Sequence, residues 1–558
     1  MPEGRAADMR LTARLVLPWV AGGLQALSIA APWNGQPQAV LQLLSLALLA
    51  CLLLRLQSAQ ASGPSSPSSP SAPFPRLRWA GLGWCFATAW LAGSFWWMYI
   101  AMHRYGGLPA PLAALAVLAL SGTLALYTAA ACALYGRLAR TLGAGRPFAH
   151  ATLFAALWLL AELARGSWFT GLGWGGGGYA HVQGPLAGYA PWIGVYGITA
   201  LTAWFAMLLA WTGQRLLEVV RTRGGAEQST VWRSIGPGAL VMVLLLGLPW
   251  VQQRWAPLDN PSTGWLRIAL LQGNIPQDEK FQPGSGVVQS LRWYGEQLMQ
   301  LPQDVSLAVA PETALPLLPE DLPRGYWARL ESRYSGSSTA AALIGIPLGN
   351  PRVGYTNSAL GLAPGQLPYR YDKHHLVPFG EFIPWGFRWF TAMMQIPLGD
   401  FNRGDVNQPS FAWMGQRLAV NICYEDLFGE ELGARFADAA TAPTLFVNLS
   451  NIAWFGDTLA VDQHLHISRM RALEFGRPMV RATNTGATAW IDHQGQVRAM
   501  LRPYTRDVLT VEVEGRSGRT PYARWVSAYG LRPLWLLGLA VLAWAAWRAR
   551  RGWPSQPA

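Results

Sequence analysis

Apolar residues follow two rhythms along the chain. Over about the first 250 residues, and again near the C-terminus, they form long runs: about 15–31, 38–56, 79–101, 110–136, 151–169, 187–213, 234–251 and 531–547. Most approach the roughly 20 residues that a helix needs to cross a bilayer. The stretch between, about Trp265–Glu514, reads as an ordinary soluble domain. Leu266–Leu271 is predicted as a strand, and Val287, Leu291, Tyr294 and Leu298 recur at helical spacing. Further strands are predicted at Ser306–Ala310, Ala342–Ile346, Leu418–Ile422 and Thr444–Leu449, with a helix at Leu459–Glu474. Alternating Ala487–Asp492, a His493-Gln494-Gly495 turn and Val508–Val513 predict antiparallel strands late in the chain. Strands interleaved with helices point to a layered α/β sandwich.

Composition sharpens the division. The 558 residues are 51% hydrophobic and only 13% charged, with 29 Trp, against about 25% charged in ordinary soluble domains. The net charge of +13 does not indicate nucleic acid. The arginines lie beside the apolar runs, and no nucleic-acid motif is present. With the N-terminus inside, sixteen arginines fall in inside segments, whereas the short outside loops hold Arg104 and, at a span edge, Arg165. The positive-inside rule therefore predicts seven spans in 1–251, a domain at 262–516 outside the cytoplasm, and an eighth span at 531–548 returning the C-terminus. In a bacterial inner membrane, outside means periplasm. The first run resembles a signal peptide, but a second run follows closely, so an uncleaved span is expected. Ser58–Pro75 is Ser/Pro-rich and reads as a flexible linker.

Chemistry concentrates where strands end. Cys51, Cys85 and Cys132 lie in apolar runs, so Cys423 is the only cysteine of the soluble domain, and no spacing suggests zinc. Cys423 directly follows the Leu418–Ile422 strand. It is either a small core residue or a nucleophile presented at a strand tip, with turn N–H groups facing an oxyanion. A thiol attacks as thiolate and needs a base and a cation. Glu312, after Ser306–Ala310, is either that base or a strand-end cap. The 43 basic residues include just two lysines, Lys280 and Lys373. In so Arg-rich a chain, Lys373 points to a role for a compact, titratable ammonium, if it is not there by chance. Glu162 and Arg165 lie three apart in the fifth run, as a structural ion pair or a contact to a lipid head group. The Trp- and Met-rich stretch Pro384–Phe401 is either core or a loop at the membrane interface.

Together, Pro311-Glu312, Asp372-Lys373-His374 and Cys423-Tyr424-Glu425 resemble the Glu-Lys-Cys triad of the nitrilase superfamily. Leu376–Glu381, Asn451–Gly456 and Arg469–Glu474, with seven spans before and one after, narrow the resemblance to the apolipoprotein N-acyltransferases, its membrane-embedded branch. The resemblance implies an α-β-β-α sandwich outside the cytoplasm and a ping-pong reaction. Cys423 would take an acyl chain from a phospholipid as a thioester and pass it to the α-amine of an S-diacylglyceryl-cysteine apolipoprotein. Glu312 would be the general base and then acid. Lys373 and the Tyr424 N–H would stabilise the oxyanion, with Glu381 and Glu425 supporting. Phe281, Arg165, Trp174, Trp385, Asn451 and Trp454 would contact substrate. No cofactor, metal or nucleic acid is implied, and a monomer in the bilayer is expected. Three departures stand out: Phe281 where some members carry Trp, Ile452 where a polar residue is common, and Leu172-Gly173-Trp174 for Phe-Pro-Trp. A membrane-tethered amidohydrolase is the alternative enzyme. A transporter or receptor would need more paired charges in the spans than Glu162/Arg165.

Overall fold

The computed structural model describes residues 2–61, 75–143, 145–221, 228–255, 258–336, 338–384, 386 and 400–551. Most of the Ser/Pro-rich stretch, 62–74, lies outside the described residues. The chain forms two compact units, one of Met1–Trp96, Ala114–Pro257 and Leu531–Ala558, the other of Trp97–Ala113 and Leu258–Gly530.

All eight apolar runs fall on helices: Pro2–Ile29, Ala39–Ala61, Pro75–Phe95, Ala110–Leu138, Pro147–Ser167, Ala190–Arg221, Gln228–Trp255 and Arg532–Arg550. Among the described residues, four are long and apolar enough to cross a membrane, at Ala39–Ala59, Ala110–Thr141, Pro147–Thr170 and Ala187–Glu218. Arg532–Arg550 makes a fifth if counted with the short helix before it. Small residues let these helices approach closely: a Cβ on Gly22 would lie 2.0 Å from the Phe86 carbonyl oxygen. Bulk fills the remaining space, with Trp90 stacked on Trp158 at 5.9 Å.

The third run behaves differently from its hydropathy. Its helix reaches Phe95, turns over Trp96 and Trp97 and resumes as short helical pieces at Met98–Ile100 and Ala101–Tyr105, and from Trp97 the chain joins the second unit. There the Trp97 ring packs on Phe455 at 4.3 Å, and its indole N–H donates to Gln463 at 3.0 Å. Both ends of one amphipathic ring thus find a tertiary partner.

The second unit holds two six-stranded sheets. The first contains β1 (Ser262–Gln272), β2 (Leu307–Val309), β3 (Ala341–Asn350), β4 (Gly354–Leu362) and β5 (Tyr369–Asp372). The second contains β6 (Phe411–Trp413), β7 (Gln416–Ile422), β8 (Leu445–Ser450), β9 (Met479–Thr483), β10 (Ala489–Ile491) and β11 (Val497–Met500). The last strand, β12 (Asp507–Arg516), returns to the first sheet, so the orders are β12-β1-β2-β3-β4-β5 and β11-β10-β9-β8-β7-β6. Each sheet has a parallel centre, β1-β2-β3 or β7-β8-β9, with antiparallel flanks. β8, LFVNLS, is buried throughout, as expected of a strand covered on both faces. One apolar cluster draws Leu266, Ile268 and Leu343 from the first sheet and Val420, Ile422 and Val447 from the second. Helix Gly286–Met299 buries Val287, Leu291, Tyr294 and Leu298, the predicted stripe.

Candidate active site

Three strand ends supply the candidate residues. Glu312 follows β2, Lys373 follows β5 directly, and Cys423 follows β7 directly. Open α/β sheets gather function at the carboxyl ends of parallel strands, because side chains there converge while the backbone turns away. Here the turns are sharp. Thr313 has φ +46° and Cys423 φ +57°, a left-handed conformation that costs an L-residue roughly 1–2 kcal/mol. For Cys423 the surroundings offset that cost. Its carbonyl accepts from the Asn448 amide at 2.8 Å and from His464 at 3.2 Å. His464 also meets Asp426 at 3.0 Å, and Arg481 reaches the same carboxylate. Thus the bend that presents the thiol is fixed by β8 and by helix Ala460–Phe475.

Lys373 is buried between two carboxylates, with Nζ 3.2 Å from Glu312 Oε1 and 2.9 Å from Glu381 Oε1. The Asn357 amide bridges the same two oxygens, donating at 2.8 Å to Glu312 and 2.6 Å to Glu381. The second oxygen of Glu312 accepts from the Asn451 N–H at 2.8 Å, and that of Glu381 from Val377 N–H at 2.8 Å. Glu425 accepts the main-chain N–H groups of Ile422, His374 and His375 and the Tyr371 hydroxyl, tying the Cys423 turn to the Lys373 turn. Tyr424 lays its ring 5.6 Å from the Lys373 ammonium and donates its hydroxyl to the Leu376 carbonyl.

Electrostatics follow from these contacts. Burial works to raise Glu312, but Lys373, Asn357 and Lys280 outweigh it and hold the carboxyl below its ordinary value. Burial works to lower Lys373, but Glu312 and Glu381 hold it well above the ordinary ammonium value. Burial pushes the Cys423 thiol up to about 12, the Glu312 charge adding and the Lys373 charge opposing. At rest the site is therefore a thiol beside a carboxylate–ammonium pair. The negative charge of Glu312 opposes ionisation of the thiol and the positive charge of Lys373 favours it.

Of the residues expected from sequence, Glu312, Lys373, Glu381, Cys423, Tyr424, Glu425 and Asn451 come together. Asn451 contributes its main chain to Glu312, while its side chain bonds Gln277 at 2.8 Å and Asn484 at 3.1 Å. Phe281 stands 52% exposed beside Lys280, and Trp454 is 41% exposed against the edge of Tyr105 at 5.6 Å. Trp385 and most of Pro384–Phe401 lie outside the described residues. Arg165 and Trp174 sit in the first unit and bond one another. The buried guanidinium pairs with Glu162 at 2.9 Å and donates to the carbonyls of Trp174, at 2.8 Å, and Leu172. The Glu162–Arg165 pairing expected from their spacing is thus formed.

Sequence reasoning missed Asn357, Asn448, His464 and the position of Lys280. Asn448 carried a signal, a lone amide inside the apolar run of β8. Asn357 did not, because its partners come from the turn after β2 and the loop after β5.

The N-terminal part, residues 21–208, matches the apolipoprotein N-acyltransferase N-terminal domain, and residues 267–522 match the carbon-nitrogen hydrolase family. An apolipoprotein N-acyltransferase of Verminephrobacter eiseniae is 54% identical over 96% of this chain and 97% of its own. One from Ralstonia nicotianae is 46% identical over 84% of this chain and 86% of its own. A solved CN-hydrolase superfamily protein of Xanthomonas campestris is 20% identical, with a TM-score of 0.34, over 48% of this chain and 96% of that one.

Proposed function

The chain belongs to the apolipoprotein N-acyltransferase family, and we propose that Cys423, Glu312 and Lys373 perform its acyl transfer as a catalytic triad. In the first half-reaction Cys423 Sγ attacks an ester carbonyl of a phospholipid while Glu312 takes the thiol proton. Lys373 and the Tyr424 N–H face the oxyanion. Collapse breaks the ester C–O bond, and Glu312 returns its proton to the departing lysophospholipid oxygen. The thioester is then attacked by the α-amine of an S-diacylglyceryl-cysteine lipoprotein. Glu312 takes the amine proton and passes it to the leaving thiolate. Splitting one acyl transfer between oxygen and nitrogen into two steps through sulfur lowers each barrier.

The observation that carries this reading is the placement of one ammonium between Glu312 and Glu381, with the charges of Glu312 and Lys373 both acting on the thiol. An amine acceptor is favoured over water because the relatives that match along nearly the whole chain are named as N-acyltransferases. The wider arrangement belongs to the same proposal: eight spans in a bacterial inner membrane, both termini cytoplasmic, and the two sheets forming an α-β-β-α sandwich in the periplasm. The partners would be a phospholipid donor and a diacylglyceryl lipoprotein acceptor, with the chain acting as a monomer. Supporting it are the eight apolar helices, the bias of arginine toward one side of them and the core shared by the sheets.

The test is mass spectrometry of the intact protein after mixing with phospholipid. An acyl adduct on Cys423 that disappears on adding lipopeptide is expected, with no adduct and no transfer in Cys423→Ala. Acylation of lipopeptide by Cys423→Ala would overturn the mechanism.

A further inference from the structure

Lys280 has no part in the triad, yet it ends at it. Its side chain is 1% exposed, and Nζ donates at 3.1 Å to the main-chain carbonyl of Glu312. Among the described residues this is the one hydrogen bond its ammonium makes. The groups whose charge reaches it are Glu312, from the turn after β2, and Cys423, from the turn after β7. The Phe281 ring, on its own turn, lies 6.0 Å away. Burying an ammonium for one neutral acceptor is unfavourable, and Met would fill the same space without that cost. Packing therefore does not explain a lysine here, whereas the charge balance does. Glu312 and Glu381 carry two negative charges against the single positive charge of Lys373. Glu425 is satisfied separately by three N–H groups and a tyrosine hydroxyl. Without Lys280 the cluster would be net negative before the thiol begins to ionise.

We infer that Lys280 is a second ammonium of the active site. It is a positioning residue that keeps Glu312 ionised and Cys423 reactive, and the loss of its proton sets the alkaline limit of Cys423 acylation. The two lysines are tuned oppositely. Burial draws Lys280 down to about 8, only partly opposed by Glu312 and Cys423, while Lys373 stays well above its ordinary value. As pH rises, Lys280 is thus the first to lose its charge. The Glu312 carboxyl and the Cys423 thiol then both shift upward, away from the reactive pairing.

This inference rests on Cys423 being the reactive thiol, and its test reads that thiol in two ways. The full-length protein is mixed with dioleoylphosphatidylethanolamine in detergent micelles, and the acyl adduct is timed across pH. Separately, iodoacetamide alkylation of Cys423 is timed by peptide mass spectrometry, which needs no acyl transfer. Wild-type acylation should fall through about pH 8. Lys280→Met should slow both reactions near neutrality by about tenfold or more, lose the alkaline limb and leave KM for the lipid unchanged. Lys280→Arg should move the limb to higher pH. The wild-type profile needs no variant to fold, and thermal unfolding reports whether each variant has. A wild-type rate that stays level well above pH 8, or a folded Lys280→Met with wild-type rates, would overturn the inference. If alkylation responds to Lys280→Met while phospholipid gives no adduct in any form, the substrate assignment fails and the role of Lys280 stands.

Discussion

Asn357 gives the sharpest test of how the site is held. Its amide nitrogen donates to Glu312 at 2.8 Å and Glu381 at 2.6 Å, both on oxygens that also face Lys373. Ionised carboxylates only accept, so this amide has its nitrogen turned toward them. Substituting Asn357→Ala removes two charge-assisted hydrogen bonds from buried oxygens. Bonds to charged groups contribute about 1.5–3 kcal/mol each, and water entering the vacated space recovers part of that. Taking only the share at Glu312, about 1.5–3 kcal/mol is about one to two pKa units, at 1.36 kcal/mol per unit. The sign follows from what is lost. Asn357 stabilises the charged carboxylate, so without it the Glu312 value rises. The acid limb of Cys423 acylation should move up by about one to two pH units, with the loss of rate greatest in acid and small near neutrality. The assay is the time course of the Cys423 acyl adduct across pH, with thermal unfolding alongside. An Asn357→Ala protein that acylates at the wild-type rate with an unmoved acid limb would refute the view that this amide holds the base in its charged form.

Two other substitutions probe the same cluster. Lys373→Met strands two buried carboxylates and should cost about 3–5 kcal/mol of stability, with no detectable adduct. Because Glu312 is held below its ordinary value, the contribution of its pairing is present above the unfolded value and lost as pH falls through the folded one. Unfolding curves should therefore separate wild type from Lys373→Met most at neutral pH and least in acid. Gly345→Ala would place a Cβ 2.2 Å from the Pro311 carbonyl and 2.8 Å from the Glu312 Cα. It should cost about 1–3 kcal/mol by overpacking and slow acylation by displacing the base, read by unfolding midpoint and adduct rate together.

Much of this molecule was legible in its residues. The strands of the second unit carry their period plainly, and β3, β8 and β12 fall within a few residues of the predicted runs. Glu312, Lys373 and Cys423 were legible as candidates because each sits just past a strand, where a polar group following an apolar run stands out. What holds the triad was not. Asn357 and Asn448 lie inside strands, and which strand end they meet depends on sheet order, which no local pattern encodes. Lys280 gives no local signal of its place, since the carbonyl its ammonium bonds belongs to Glu312, 32 residues away. The third apolar run misled for a related reason. Hydropathy treats Trp97 and Ile100 as more of the same helix, whereas their partners, Phe455 and Gly456, lie in the turn after β8.

That last contact bears on anyone wishing to work without detergent. The polypeptide changes unit three times before Leu258 if its return there is counted, and the short visit from Trp97 to Ala113 is easily discarded. A truncation spanning 258–530 would strip Trp97 from Phe455, Tyr105 from Trp454 and Arg104 from Asp278. Bared rings would then face solvent and favour clumping over refolding. Splicing those seventeen residues back through a Gly/Ser tether would restore all three contacts.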